Sequence, residues 1–199
     1  MDTVYQKTTL RRTMRRRREK LDRRDTRSRM ILERITGLSE YQAATVIHTY
    51  LTMGSEVDTS PLLADALERG KRVVVPIVQA HTNNMTHSWL TSLNLEEREV
   101  GLLGTPQPRV LMNAPDGVWN LVFVPLLAFD RWGYRLGYGK GFYDQFLRRF
   151  PCTAVGLAFA MQEVPTVPHE AHDVRLDWVV TEEETIVTRS AHDAMVRRS

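Results

Sequence analysis

The chain has 199 residues, 42% apolar and 26% charged, the balance of a globular protein long enough to bury a substantial core. Its single cysteine, Cys152, excludes an internal disulfide, a CxxC redox pair and a multi-cysteine zinc site, and no apolar run reaches the ~18 residues that a membrane span needs. Net charge is +3 but uneven: residues 1–35 carry 13 Lys/Arg against 5 Asp/Glu, the remainder 14 against 19. Such asymmetry raises nucleic acid or a membrane surface as a partner. No apolar segment follows the arginines, as a secretory signal would require, and Glu19, Asp22 and Asp25 disfavour a transit peptide. A cytoplasmic setting is expected.

From Lys7 to about Thr36 there is no proline or glycine. Leu10, Met14, Leu21 and Ile31/Leu32 form a loose apolar stripe, which predicts one long basic helix with its arginines mostly solvated. Ala44 to Leu51 is β-branched and apolar, a buried strand. Ser60-Pro61 then supplies an N-cap and a proline at the first helical position, for a helix through Glu68 stopped by Gly70. Lys71 to Val78 reads as a second strand, and Met85 to Leu90 as a short one in the less regular stretch 79–117. Thr105 to Pro115 reads as loop. Trp119 to Leu127 is a third buried strand, Phe142 to Phe150 an amphipathic helix, and Thr153 to Phe159 and Leu176 to Thr181 the last strands. Runs apolar on both faces and separated by helices predict an α/β three-layer sandwich around a mainly parallel sheet, as one domain over 1–199.

The strongest chemical signal is residues 129–144, FDRWGYRLGYGKGFYD, with glycines at 133, 137, 139 and 141 between a buried strand and a helix. Glycines let several backbone N–H groups converge on an anion. A helix opening at Phe142 adds roughly half a unit of positive charge, while Arg135 and Lys140 add full charges. The spacing fits neither GxGxxG nor Walker A, since Gly141 follows Lys140 where Ser or Thr would hold Mg²⁺. A metal must then be held from elsewhere. Asp144, in the first helical turn, is one candidate, or simply a carboxylate well placed at a helix N-terminus. His169 and His172 are three apart rather than the four of HExxH, so a surface loop is expected there. Met53, Met85 and Met161 read as core or pocket lining.

Residues 129–144 resemble the signature of 5-formyltetrahydrofolate cyclo-ligases. Lys7-x-x-Leu10-Arg11, Leu51 to Thr59 and Val164 to Val180 (with His172-Asp173) agree in order and spacing with further family segments. One departure is Leu126, where members usually carry glycine after the strand-ending proline, which puts the local turn in question. The resemblance implies that Lys7, Arg11 and the loop through Arg135, Gly137, Gly139, Lys140, Gly141, Phe142 and Tyr143 hold ATP. Asp144 and Asp173 would bind Mg²⁺, and Leu51, Glu56, Tyr138 and Phe142 would contact the folate. Arg135, Lys140 and Tyr143 are the expected catalytic groups. The implied reaction is ATP-dependent closure of 5-formyltetrahydrofolate to 5,10-methenyltetrahydrofolate, by a monomer needing neither nucleic acid nor membrane. Two other readings are a nucleic-acid-binding protein using the basic N-terminal helix, and an ATP-dependent kinase or ligase acting on another small molecule.

Overall fold

The computed structural model describes residues 3–79 and 85–188. In chain order the elements are α1 (Thr3–Glu19), α2 (Arg24–Thr36), α3 (Ser39–Ala43), β1 (Val46–His48), α4 (Ser60–Glu68), β2 (Arg72–Val78), β3 (Met85–Leu90), β4 (Arg98–Val100), β5 (Pro106–Pro108), β6 (Leu121–Pro125), β7 (Ala128–Phe129), β8 (Arg135–Leu136), α5 (Phe142–Arg149), β9 (Thr153–Leu157), β10 (Trp178–Val180) and β11 (Thr185–Val187). Seven strands form one sheet in the order β11-β10-β9-β6-β1-β2-β3. The five inner strands run parallel, and β3 and β11 close the edges antiparallel. The expected α/β sandwich around a mainly parallel sheet is what forms.

Strand alternation sorts the core into two faces. Ile47, Val73, Val75, Leu121 and Phe123 pack with Ile31 and Ile35 of α2, Tyr41 of α3 and Leu62 and Leu63 of α4. Val46, Val74, Val122, Val124 and Ala154 pack with Phe146 and Leu147 of α5 and with Trp119. A third, smaller cluster seats Met14 of α1 against Leu127, Ala128 and Leu136. The last cluster matters most for function, because it clamps the basic helix onto the β7–β8 hairpin at the head of the glycine stretch.

The single long helix expected over Lys7 to Thr36 is two helices. The chain turns between α1 and α2, and Arg23 takes the left-handed conformation (φ 50°). No proline or glycine dictates the break. The two halves have different partners, since α1 seats Met14 on the hairpin while α2 seats Ile31 and Ile35 on the sheet, and one straight rod cannot meet both. Thr105 to Pro115, expected as loop, contributes β5, which pairs antiparallel with β4. Helix α4 begins one residue earlier than its Ser60 cap implies, with Thr59 as the N-cap.

Under α5 the sheet buries two histidines. His48 Nε2 lies 3.2 Å from His87 Nδ1, and both rings pack against Trp119 and Phe146. Burial holds His48 well below its usual range, with His87 adding to the effect, and holds His87 at about 4. A histidine with a depressed folded-state pKa binds fewer protons folded than unfolded. Stability is therefore full above the unfolded value of ~6.5 and falls as pH drops toward the folded value. The expected loss from His87 alone between neutrality and pH ~4 is up to about 3 kcal/mol. Urea unfolding from pH 7 to 4 would show this slope, and His87→Phe would flatten it; an equally steep slope in that variant would exclude His87 as its source.

Candidate active site

The carboxyl ends of the parallel strands open into a cavity of about 700 Å³, within the range of small-molecule sites. Every residue singled out from the sequence as a ligand contact lines this one cavity, from Lys7 and Arg11 on α1, through Leu51 and Glu56 after β1, to the glycine loop, α5 and Asp173. Met53 and Met85 line it too, whereas Met161 packs at the edge of the core. Leu51, Glu56 and the glycine loop converge because parallel strands deliver their following loops to one edge of the sheet, while Lys7 of α1 and Asp173, ahead of β10, meet each other there.

The glycine loop is held by particular contacts rather than by glycine content alone. Gly133 (φ +88°) lies where a Cβ would sit 2.7 Å from the Leu176 carbonyl. Gly139 (φ +100°) lies under the Arg11 guanidinium, whose Cζ a Cβ would meet at 3.2 Å, and Gly141 (φ +71°) caps α5. Arg11 Nε also donates to the Gly137 carbonyl at 3.0 Å. Asp130, fully buried, accepts at Oδ1 from the Trp132 and Tyr134 amides and at Oδ2 from the Val167 amide. It thereby ties the hairpin turn to the segment leading to Asp173. Leu126 does not take a positive φ. Its side chain packs on Gly156 beside Leu176, so the turn forms without glycine.

The cations and acids expected to hold phosphate and metal are paired with each other. Lys7 Nζ donates to Asp173 Oδ2 at 2.7 Å and to Glu170 Oε2 at 3.0 Å. Burial by itself would lower the Lys7 ammonium, but the bonds from Asp173 and Glu170 outweigh it and raise it. Burial would raise Asp173, and the Lys7 bond and the Glu170 amide bring it below its usual range. Arg135 is buried; its Nη2 donates to Asp144 Oδ1 at 2.8 Å and its Nη1 to the Val174 carbonyl. Asp144 Oδ1 also accepts from the Val174 amide at 3.0 Å. Lys140, by contrast, is exposed. Among the described residues no cluster of three acidic, His or Cys side chains could hold a metal by itself. The two aspartates nevertheless suit a cation that keeps most of its water and takes the rest of its shell from phosphates.

The cavity lining also has an acid and aromatic rings, Glu56 with Tyr50, Tyr138 and Tyr143. Glu56 is almost fully buried, and its Oε2 accepts from the Met53 amide at 2.9 Å. Burial raises its carboxyl, only partly offset by the Met53 amide, Tyr138 and Arg18. The Tyr143 hydroxyl is buried without a hydrogen-bond partner among the described residues, and burial, with Glu56 nearby, pushes it far above the usual tyrosine range.

Two features were missed in the sequence. Arg18, read as one of a solvated run, is 3% exposed. Its position eleven after Lys7 and four after Met14 puts it on the same inward helical face, a signal that was available. Glu170, the second partner of Lys7, carried no such signal. His169 lies in the 163–175 segment outside regular structure, stacked on Tyr134 at 3.6 Å, which agrees with the loop expectation. No helix among the described residues is long and apolar enough to cross a membrane.

A family model described as the 5-formyltetrahydrofolate cyclo-ligase family matches residues 3–182. The mouse (Mus musculus) 5-formyltetrahydrofolate cyclo-ligase is 32% identical over 174 residues, covering 78% of this chain and 82% of the relative. That of Escherichia coli K12 is 31% identical over 155 residues, covering 73% and 84%. The solved structure of Aquifex aeolicus 5,10-methenyltetrahydrofolate synthetase superposes with a TM-score of 0.79 at 28% identity, covering 93% of this chain and 94% of that one. The chain is therefore a member of the 5-formyltetrahydrofolate cyclo-ligase family.

Proposed function

We propose that this enzyme closes 5-formyltetrahydrofolate to 5,10-methenyltetrahydrofolate at the expense of ATP, releasing ADP and phosphate. The observation that carries the reading is that one cavity gathers two kinds of group, Lys7, Arg11, Lys140 and the loop glycines together with Glu56, Leu51 and tyrosines. A polyphosphate suits the first set and a heterocycle bearing N–H donors suits the second.

The formyl oxygen on N5 is a poor leaving group. In the proposed path it attacks the γ-phosphorus of ATP, forming an O–P bond as the bridging P–O bond to ADP breaks. N10 then attacks the formyl carbon, its proton is lost, and the C–O bond breaks to expel phosphate. Such transfer depends on positioning and charge neutralisation more than on protein nucleophiles. Lys7, Arg11 and the amides of Gly137, Gly139 and Gly141 orient the phosphates, with Phe142 at the opening of α5. Lys140, exposed and free to swing, meets the transferring group, and Arg135 supplies a fixed buried charge at the base of the loop. Asp144 and Asp173 would hold Mg²⁺, which when bound neutralises phosphate charge. Glu56 accepts from the pterin N–H groups, and Tyr138, Leu51 and Phe142 line its ring. The Tyr143 O–H, buried and neutral, is placed to donate to substrate oxygen.

Helix α1 turns Lys7, Arg11 and Arg18 inward, which directs that charge to a small anion rather than a nucleic acid strand. We read the chain as one domain acting as a cytoplasmic monomer. The test is to mix enzyme, MgATP and 5-formyltetrahydrofolate and follow methenyl absorbance with ADP release. Equimolar methenyl product and ADP are expected. ADP without methenyl product would point instead to a kinase or ligase for another acceptor.

A further inference from the structure

The mechanism above leaves unused one buried arginine, Arg18. Arg18 does not line the cavity, yet its guanidinium joins three segments that do. Nε donates to Ser55 Oγ at 3.1 Å, Nη1 to the Leu126 carbonyl at 3.0 Å and Nη2 to the Tyr138 hydroxyl at 2.5 Å. Ser55 precedes Glu56, Leu126 follows the cavity-lining Pro125, and Tyr138 belongs to the glycine loop.

We infer that Arg18 is a positioning residue for the reduced folate, holding Glu56 and Tyr138 in the geometry that receives the pterin ring without touching the ligand itself. The inference rests on the folate reading above. The Tyr138 hydroxyl accepts from Arg18, and both Tyr138 and Arg18 oppose the effect of burial on the Glu56 carboxyl. The groups facing Glu56 are Arg18 from α1, Tyr50 after β1, Tyr138 from the loop and Tyr143 from α5. All three tyrosines are pushed up and stay neutral, so Arg18 is the charge that favours ionised Glu56. A guanidinium is needed because its fork reaches three acceptors in fixed directions; an ammonium supplies the charge but not that geometry. The acceptors belong to different parts of the chain, so one side chain ties Ser55, Leu126 and Tyr138 together.

The test compares the unaltered enzyme with Arg18→Met and Arg18→Lys, measuring KM for each substrate and kcat/KM for folate across pH. In Arg18→Met the folate KM should rise about tenfold, with the ATP KM changed less than about twofold. The acid limb of the folate kcat/KM profile should move to higher pH, because Glu56 without a nearby cation ionises later. Arg18→Lys should recover the pH profile more than the KM. If Arg18→Met does not fold, Tyr138→Phe, which removes the hydroxyl that Arg18 holds beside Glu56, should still displace the acid limb. An unchanged folate KM, or both KM values rising together with superimposable pH profiles, would reduce Arg18 to a structural bolt and overturn the inference. Absence of methenyl product from the unaltered chain would instead sink the folate reading on which it rests.

Discussion

Arg135→Ala should lose at least about 100-fold in the rate of the proposed phosphoryl-transfer step, the loss expected when a preorganised charge, on the order of 3 kcal/mol, is removed. Arg135 is buried and engaged on two sides, by Asp144 and the Val174 carbonyl. Its removal deletes a fixed positive charge beside the cavity and also leaves Asp144 beside an empty space. Breaking one side of a buried pair costs roughly 3–5 kcal/mol, so thermal unfolding should fall together with turnover. Two measurements separate the effects. Single-turnover chemistry well below the variant's melting temperature isolates the catalytic loss. The double variant with Asp144→Asn tests whether the two side chains act as one unit, in which case the second substitution adds little. Arg135→Lys should not rescue, because one ammonium cannot span both acceptors in the guanidinium's fixed directions. Near-normal single-turnover rates in Arg135→Ala would remove this residue from the proposed chemistry, whatever happened to its stability.

The loop glycines should divide into structural and ligand-facing classes when each is changed to alanine. Gly133→Ala places a Cβ 2.7 Å from the Leu176 carbonyl and 2.8 Å from Thr188 Oγ1, at a φ of +88°. A backbone carbonyl cannot swing away as a side chain can. Backbone strain and overpacking together should cost about 2–5 kcal/mol. Gly137 has an ordinary φ and nothing within 4 Å of its missing Cβ, so Gly137→Ala should melt within about 0.5 kcal/mol of the parent. If the ATP phosphates lie against this backbone, the ATP KM of that variant should nevertheless rise roughly tenfold or more. Melting curves and ATP saturation on the two variants decide the matter. A Gly137→Ala enzyme with unchanged ATP KM would place the phosphates elsewhere on the loop.

The strand and helix order was largely legible because local pattern and tertiary fate agree there. Residues 71–78 and 153–159 are short apolar runs that form strands with trimmed ends, and the short strand expected over 85–90 forms over those residues. Trimming has a cause: Ala44 to Leu51 reads as eight strand residues, but the ladder holds only Val46–His48. Its continuation through Leu51 leaves the sheet to line the cavity. The break between α1 and α2 was invisible, because nothing in that run is a helix breaker. The β7–β8 hairpin was hidden as well, since two-residue strands have no period to detect.

Sequence by itself determined the glycine stretch: four glycines, three of them at positive φ, two cations among them and a helix opening directly after. It also determined the alternation that builds a parallel sheet, and so the edge at which ligand loops gather. Only the tertiary structure decided which charges gather around that stretch. Lys7 meets Asp173 across 166 residues and Arg18 meets Tyr138 across 120, separations over which local patterning carries no information. A basic run on a helix specifies charge along an axis, whereas burial selects one face of it. Here that face was chosen by Met14 packing onto the β7–β8 hairpin, which carried Lys7, Arg11 and Arg18 inward with it.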